Sequence, residues 1–140
     1  MPLLANDTDG AVTRKRLETW VAKEEKVTIV AATDAATVQT AADLAGAGRV
    51  VYTMTPSAAR TLTTPTGALL GAAFTDEAVG TSFEFTVVNV AAATHAITLT
   101  AAATGVTLLG VAGMATVAAS TSATFVGVFT AANTVSIYRK

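Results

Sequence analysis

No cysteine occurs in the 140 residues. Disulfide stapling, thiolate nucleophiles and cysteine-ligated zinc are thereby excluded, and the chain suits folding in a reducing compartment. Charge is nearly as scarce over the second half: the 54 residues from Phe85 to Tyr138 hold no Asp, Glu, Lys or Arg. Catalysis within that run would draw its acids, bases and metal ligands from Thr, Ser, Asn and one histidine, His95. Charged residues make up 14% of the whole chain, against roughly 25% in ordinary globular proteins. With a net charge of -1, no overall field draws in nucleic acid or an anionic membrane. No GxGxxG, P-loop, GxSxG or HExxH pattern is present, so no cofactor and no enzymatic activity is expected.

What fills the chain instead is Ala and Thr, about 40% of all residues together. A surface of Thr hydroxyls and Ala methyls has little charge to keep molecules apart, which implies burial against partners. The start, MPLLAND, lacks a basic n-region, and no secretory signal is expected. Residues 101–119 run uncharged for the length of a membrane helix. They carry Thr104, Thr107, Thr116, Gly105, Gly110 and Gly113 without aromatic or basic anchors, which argues against a span.

Hydrophobic periodicity points to strands. Phe83, Phe85 and Val87 alternate with Ser82, Glu84 and Thr86; Ile97 and Leu99 alternate with Thr98 and Thr100; Val135 and Ile137 alternate with Ser136 and Tyr138. The stretch 122–130 is apolar on both faces, Phe125 and Phe129 on one and Val126 and Val128 on the other. It reads as a central or inter-subunit strand, with Phe125, Val126 and Val128 as candidate subunit-interface residues. Further strands are predicted at 26–32, 37–40, 49–54 and 59–64, separated by Gly and Pro punctuation. Seven to ten short strands imply an all-β chain, a β-sandwich or jelly-roll-like barrel over 26–140. Only two segments look helical: GALLGAA after the capping residue Thr66, and part of 13–25, which reads equally as an extended arm.

The first 25 residues form a chemically distinct N-terminal arm, with Arg14, Lys15, Arg16 and the only tryptophan, Trp20. Glu18, Glu24 and Glu25 offset the basic cluster, so a protein partner fits better than nucleic acid, with Arg and Trp as anchors. The other polar groupings have plainer readings. NDTDG (6–10) lacks an acid at the last position of a calcium loop, where Arg16 falls. The adjacent carboxylates Asp76 and Glu77 read as a solubilising loop rather than a facing catalytic pair. His95 stands alone in a hairpin loop, and no metal site is expected there.

From Arg60 onward the order of signals is RTLTTPTGALLGAAFTDEAVGTSFEFTVVN, ITLTAAATGVTLLG, then TVAASTSATFVGVFTAANTVSIYR. The Thr-Leu-Thr and proline turn, the Gly80-Thr81-Ser82-Phe83 strand opening, TGVTLLG and the terminal aromatic strand together resemble virion structural proteins of tailed bacteriophages, including small capsid decoration (cement) and fibre-type modules. The resemblance covers residues 60–139. It implies a non-enzymatic capsid decoration protein, made in the host cytoplasm and located in the virion. Such a protein would bind the major capsid protein, self-associate as a homotrimer and bridge neighbouring capsomers, without nucleic acid or membrane as partner. On this expectation Arg14, Lys15, Arg16 and Trp20 make the capsid contacts. A trimeric tail-fibre or receptor-binding module and a head-tail or tail-tube protein are the alternatives; the chain shows no repetitive shaft of the fibre kind.

Overall fold

The computed structural model describes residues 26–46, 48–75 and 77–140. Ten strands and two short helices follow one another among them: β1 (Val27–Ala31), β2 (Thr37–Val38), α1 (Ala41–Ala45), β3 (Arg49–Met54), β4 (Arg60–Thr63), α2 (Gly67–Ala73), β5 (Ser82–Asn89), β6 (Ile97–Thr100), β7 (Val106–Leu109), β8 (Thr116–Val117), β9 (Thr121–Ala131) and β10 (Thr134–Arg139). They form a six-stranded sheet in the order β1-β3-β5-β9-β10-β7 and a four-stranded sheet in the order β2-β4-β6-β8.

Up to β6 the chain winds alternately through the two sheets, and each strand pairs in parallel with the next but one. Thus Val27 lies opposite Arg49, Val50 opposite Phe85, Thr37 opposite Leu62 and Arg60 opposite Ile97. The pattern then breaks. β7 crosses to the far edge of the large sheet, parallel to β10, while β8 returns antiparallel to β6. The β9–β10 hairpin fills the middle, β9 lying antiparallel to both β5 and β10. Five of these eight pairings are parallel, whereas a jelly roll is built from antiparallel ones.

Period-two patterning explains which side of each strand is buried. Val50, Tyr52, Phe83, Phe85, Val87, Phe125, Phe129, Val135 and Ile137 project from the large sheet into the same core as Leu62, Ile97, Leu99 and Val117 of the small one. Leu44 of α1 and Leu70 of α2 complete it. On β9 the inward row reads Ala123, Phe125, Gly127, Phe129, and Phe83 stands in register with the glycine. A Cβ at Gly127 would lie 2.3 Å from Phe83 Cζ, so the missing side chain is the slot that the Phe83 ring occupies. Burying aromatic rings of this size dominates such a core, each worth roughly 1.5–3 kcal/mol.

The expected helix at GALLGAA is α2, and Thr66 Oγ1 accepts from Leu69 N at 3.3 Å as its cap. α1 was not foreseen; its cap is Thr40, whose Oγ1 accepts from Asp43 N at 3.2 Å. The uncharged stretch 101–119 forms β7, β8 and turns. No helix among the described residues is long and apolar enough to cross a membrane.

Candidate interaction surface

The outer face of the large sheet carries the residues that alternate with the core. Across β5, β9 and β10 the registers set Ser82, Val128 and Ser136 in one row and Glu84, Val126 and Tyr138 in the next. Thr86 and Thr124 follow, their hydroxyls 2.9 Å apart, and then Val88 beside Ser122. Thr63 and Thr100 make the same hydroxyl pair at 2.8 Å on the small sheet. Such pairs satisfy the hydroxyls laterally, across neighbouring strands. Glu84 places a carboxylate on the large face beside Val126, with Lys140 Nζ 3.2 Å from its Oε2, and Arg49 opens β3. The Arg139 guanidinium donates to the carbonyls of Met114 and Thr116 at 3.3 and 3.0 Å.

Val126 and Val128 therefore face outward at the middle of this sheet, half-buried by their neighbours. Phe125 does not share that face. It is fully buried in the chain's own core, stacked on Phe85 at 5.4 Å between ring centroids, and offers no surface to a second subunit. The expectation that Phe125 contacts another subunit is corrected accordingly: the period of two puts residues 125 and 126 on opposite faces of β9. Arg14, Lys15, Arg16 and Trp20 lie outside the described residues, as do the NDTDG segment and Asp76.

Several of the remaining polar groups are occupied in holding the fold, whereas the Gln39 side-chain amide, the Tyr52 hydroxyl and Glu77 Oε2 are buried without a partner among the described residues. Asn89, buried at the end of β5, donates through Nδ2 to the carbonyls of His95 and Val117 at 2.7 and 3.0 Å and accepts from Ala91 N at 3.1 Å. His95 enters that cluster through its backbone. Glu77 Oε1 accepts from Asn133 N at 3.3 Å. Among the described residues no group of three or more His, Cys, Asp or Glu converges as metal ligands would.

One polar cluster escaped the sequence reading. Asp34, in the turn after β1, accepts from Arg60 Nε at 2.7 Å, from Ser57 N at 3.1 Å and from Ser57 Oγ. The Arg60 hydrogen bond, followed by those from Ser57, holds the Asp34 carboxyl well below the usual carboxylate range and raises Arg60 in turn. The cluster ties one turn of the winding to the next. Its partners lie 23 and 26 residues from Asp34, beyond any local pattern.

Taken together, the site is a broad, weakly charged, methyl-rich sheet face rather than a cleft with converging titratable groups. No family model, no curated protein and no solved structure matches the chain.

Proposed function

We propose that this chain is a capsid decoration protein of a tailed bacteriophage, a non-enzymatic subunit that binds the outer shell as a homotrimer and reinforces it by bridging capsomers. The observation that carries the reading is the outer face of β5, β9 and β10, where Val88, Val126, Val128 and Tyr138 stand among Thr and Ser with Glu84 as the one carboxylate in those rows. A face of this kind is suited to lasting contact with protein and has no evident chemistry to perform. In this reading the two sheets are the layers of a β-sandwich, and Val126 and Val128 meet a second copy. Arg14, Lys15, Arg16 and Trp20 of the N-terminal arm grip the major capsid protein. Each bound copy favours the assembled shell over its parts, so reinforcement is a linkage effect.

Labelling the protein on intact virions from a phage that encodes it, followed by electron microscopy, tests the reading. Label spread over the head in a regular lattice is expected. Label confined to the neck, tail tube or fibre tips would refute it.

A further inference from the structure

The two outer strands of the large sheet run in the same direction. From β1 the pairings go parallel to β3, parallel to β5, antiparallel to β9, antiparallel to β10 and parallel to β7, so two reversals cancel. Neither edge has a further neighbour among the described residues. On β1 the Lys26 carbonyl and Ala32 N–H bond to β3, and the alternation leaves the backbone groups of Val27, Ile29 and Ala31 on the open side. On β7 the Gly105 carbonyl bonds to Val135 N–H, which by the same alternation leaves Val106 and Leu108 open.

Sheet edges are ordinarily protected by charge, proline, a bulge or a covering segment. Neither VTIVA nor VTLL contains a charge or a proline. Large exposed apolar side chains gather at both: Ile29 is 70% exposed on β1, Leu109 is 48% exposed on β7, and Val111 just beyond it is 81% exposed. The small sheet offers nothing equivalent, since its edges β2 and β8 are two residues long.

From this geometry we infer that copies of the chain join head to tail through these edges, β1 of one copy adding in parallel to β7 of the next. The inference rests on the self-association in the reading above and specifies its surface. Because both edges point the same way, rotation about an axis roughly along the strands carries one onto the other, and in a trimer three such rotations close a ring. Two copies related by a twofold axis would instead bring β1 to β1 or β7 to β7, antiparallel.

The absence of cysteine makes the test direct. Ile29→Cys and Leu109→Cys are made singly and together at exposed positions, and the purified protein is treated with a bismaleimide reaching about 10 Å. That span covers a register slip of two residues, roughly 6.6 Å. The double variant should give a ladder on denaturing gels that stops at the ring size, a trimer, whereas neither single variant should cross-link. Dimers from Ile29→Cys alone or from Leu109→Cys alone would overturn the head-to-tail geometry in favour of a twofold one. No cross-linking in the double variant would overturn edge pairing altogether. No shell is present in this experiment, so its failure leaves the decoration reading to be decided by the labelling of virions.

Discussion

Asn89, at the end of β5 in the large sheet, donates its side-chain amide to the carbonyl of Val117, on β8 of the small sheet, at 3.0 Å. One buried side chain thus links the two sheets, and its other bonds fix the loop that leads to β6. Asn89→Ala removes the partner of the half-buried His95 carbonyl and strands the Val117 carbonyl and the Ala91 N–H in the interior, where each unmet group costs about 1–3 kcal/mol. A loss of about 2–4 kcal/mol is expected in denaturant titration. His95→Ala, by contrast, keeps the carbonyl that Asn89 uses, and its midpoint should stay within about 0.5 kcal/mol of the parent. Equal losses in the two variants would mean that the imidazole itself supports the loop.

Asp34 supplies the acid-sensitive contact. Its carboxyl is held below the ordinary value of 3.8 by Arg60 first and Ser57 second. A group whose folded value is depressed contributes fully above the unfolded value, and the contribution fades as pH falls toward the folded one. The difference in melting temperature between the parent and Asp34→Asn should therefore be constant near neutrality and shrink progressively below about pH 4. A difference that persists unchanged to pH 2 would show that the Arg60 and Ser57 contacts do not depend on the carboxylate charge.

Tyr52 is expected to behave in the opposite sense. Its ring is buried against Phe85, and its hydroxyl has no hydrogen-bond partner among the described residues. Loss of hydration, with the Asp43 carboxylate adding to it, pushes the phenol above its ordinary value of 10.0. Raised in the fold, it contributes stability that is full below about pH 10 and is lost as pH climbs past the unfolded value toward the folded one. Tyr52→Phe should be neutral, or stabilising by up to about 1 kcal/mol, at pH 7, and should flatten the alkaline limb of the stability profile. Clear destabilisation at neutral pH would reveal a partner for the hydroxyl.

Most strands were legible because alternation is a local property. The strands at 49–54 and 134–139 have the limits that Val50, Tyr52, Val135 and Ile137 announce, and 122–130 differs from β9 by one residue at each end. β7 and β8 were not predicted as strands from alternation: VTLL offers one threonine to alternate against, and β8 is only two residues long. α1 was missed because one turn of AADLA carries no helical period. Strand order was beyond reach, since a period of two assigns a face but never a neighbour. For the same reason Val126 and Val128 were readable as a surface pair, while the pairing of Phe125 with Phe85, set by the register of β9 on β5, was not.

Val126 sits between Glu84 and Tyr138 on the outer face. Val126→Asp would place a second carboxylate beside Glu84 while leaving the inward row of β9 intact, so the circular dichroism spectrum should be unchanged. If the face is covered in the assembly, the variant buries an unpaired charge and should lose association by light scattering. An oligomer that survives the substitution at micromolar concentration would leave Val126 outside the contact.

Gly67 and Gly71 lie one helical turn apart on α2, and both face the β9–β10 turn. In an exposed helix, replacing glycine by alanine gains up to about 1 kcal/mol; here the outcome depends on what the new methyl meets. At Gly67 a Cβ would lie 1.9 Å from the Asn133 carbonyl and 2.7 Å from that of Gly105, backbone atoms fixed by the Val135 N–H bond to Gly105. At Gly71 it would lie 2.1 Å from Asn133 Oδ1 and 2.8 Å from Glu77 Oε1, the ends of side chains able to rotate aside. Overpacking against backbone cannot relax without shifting the hairpin, so Gly67→Ala should cost about 2–4 kcal/mol. Gly71→Ala loses at most the Glu77 bond to Asn133 and recovers part of it through helix propensity, and should stay within about 1 kcal/mol of the parent. Thermal melts of the two variants decide the matter. Equal tolerance would mean that α2 rides loosely on the hairpin, and equal intolerance would mean that Asn133 and Glu77 are as immovable as the backbone beside them.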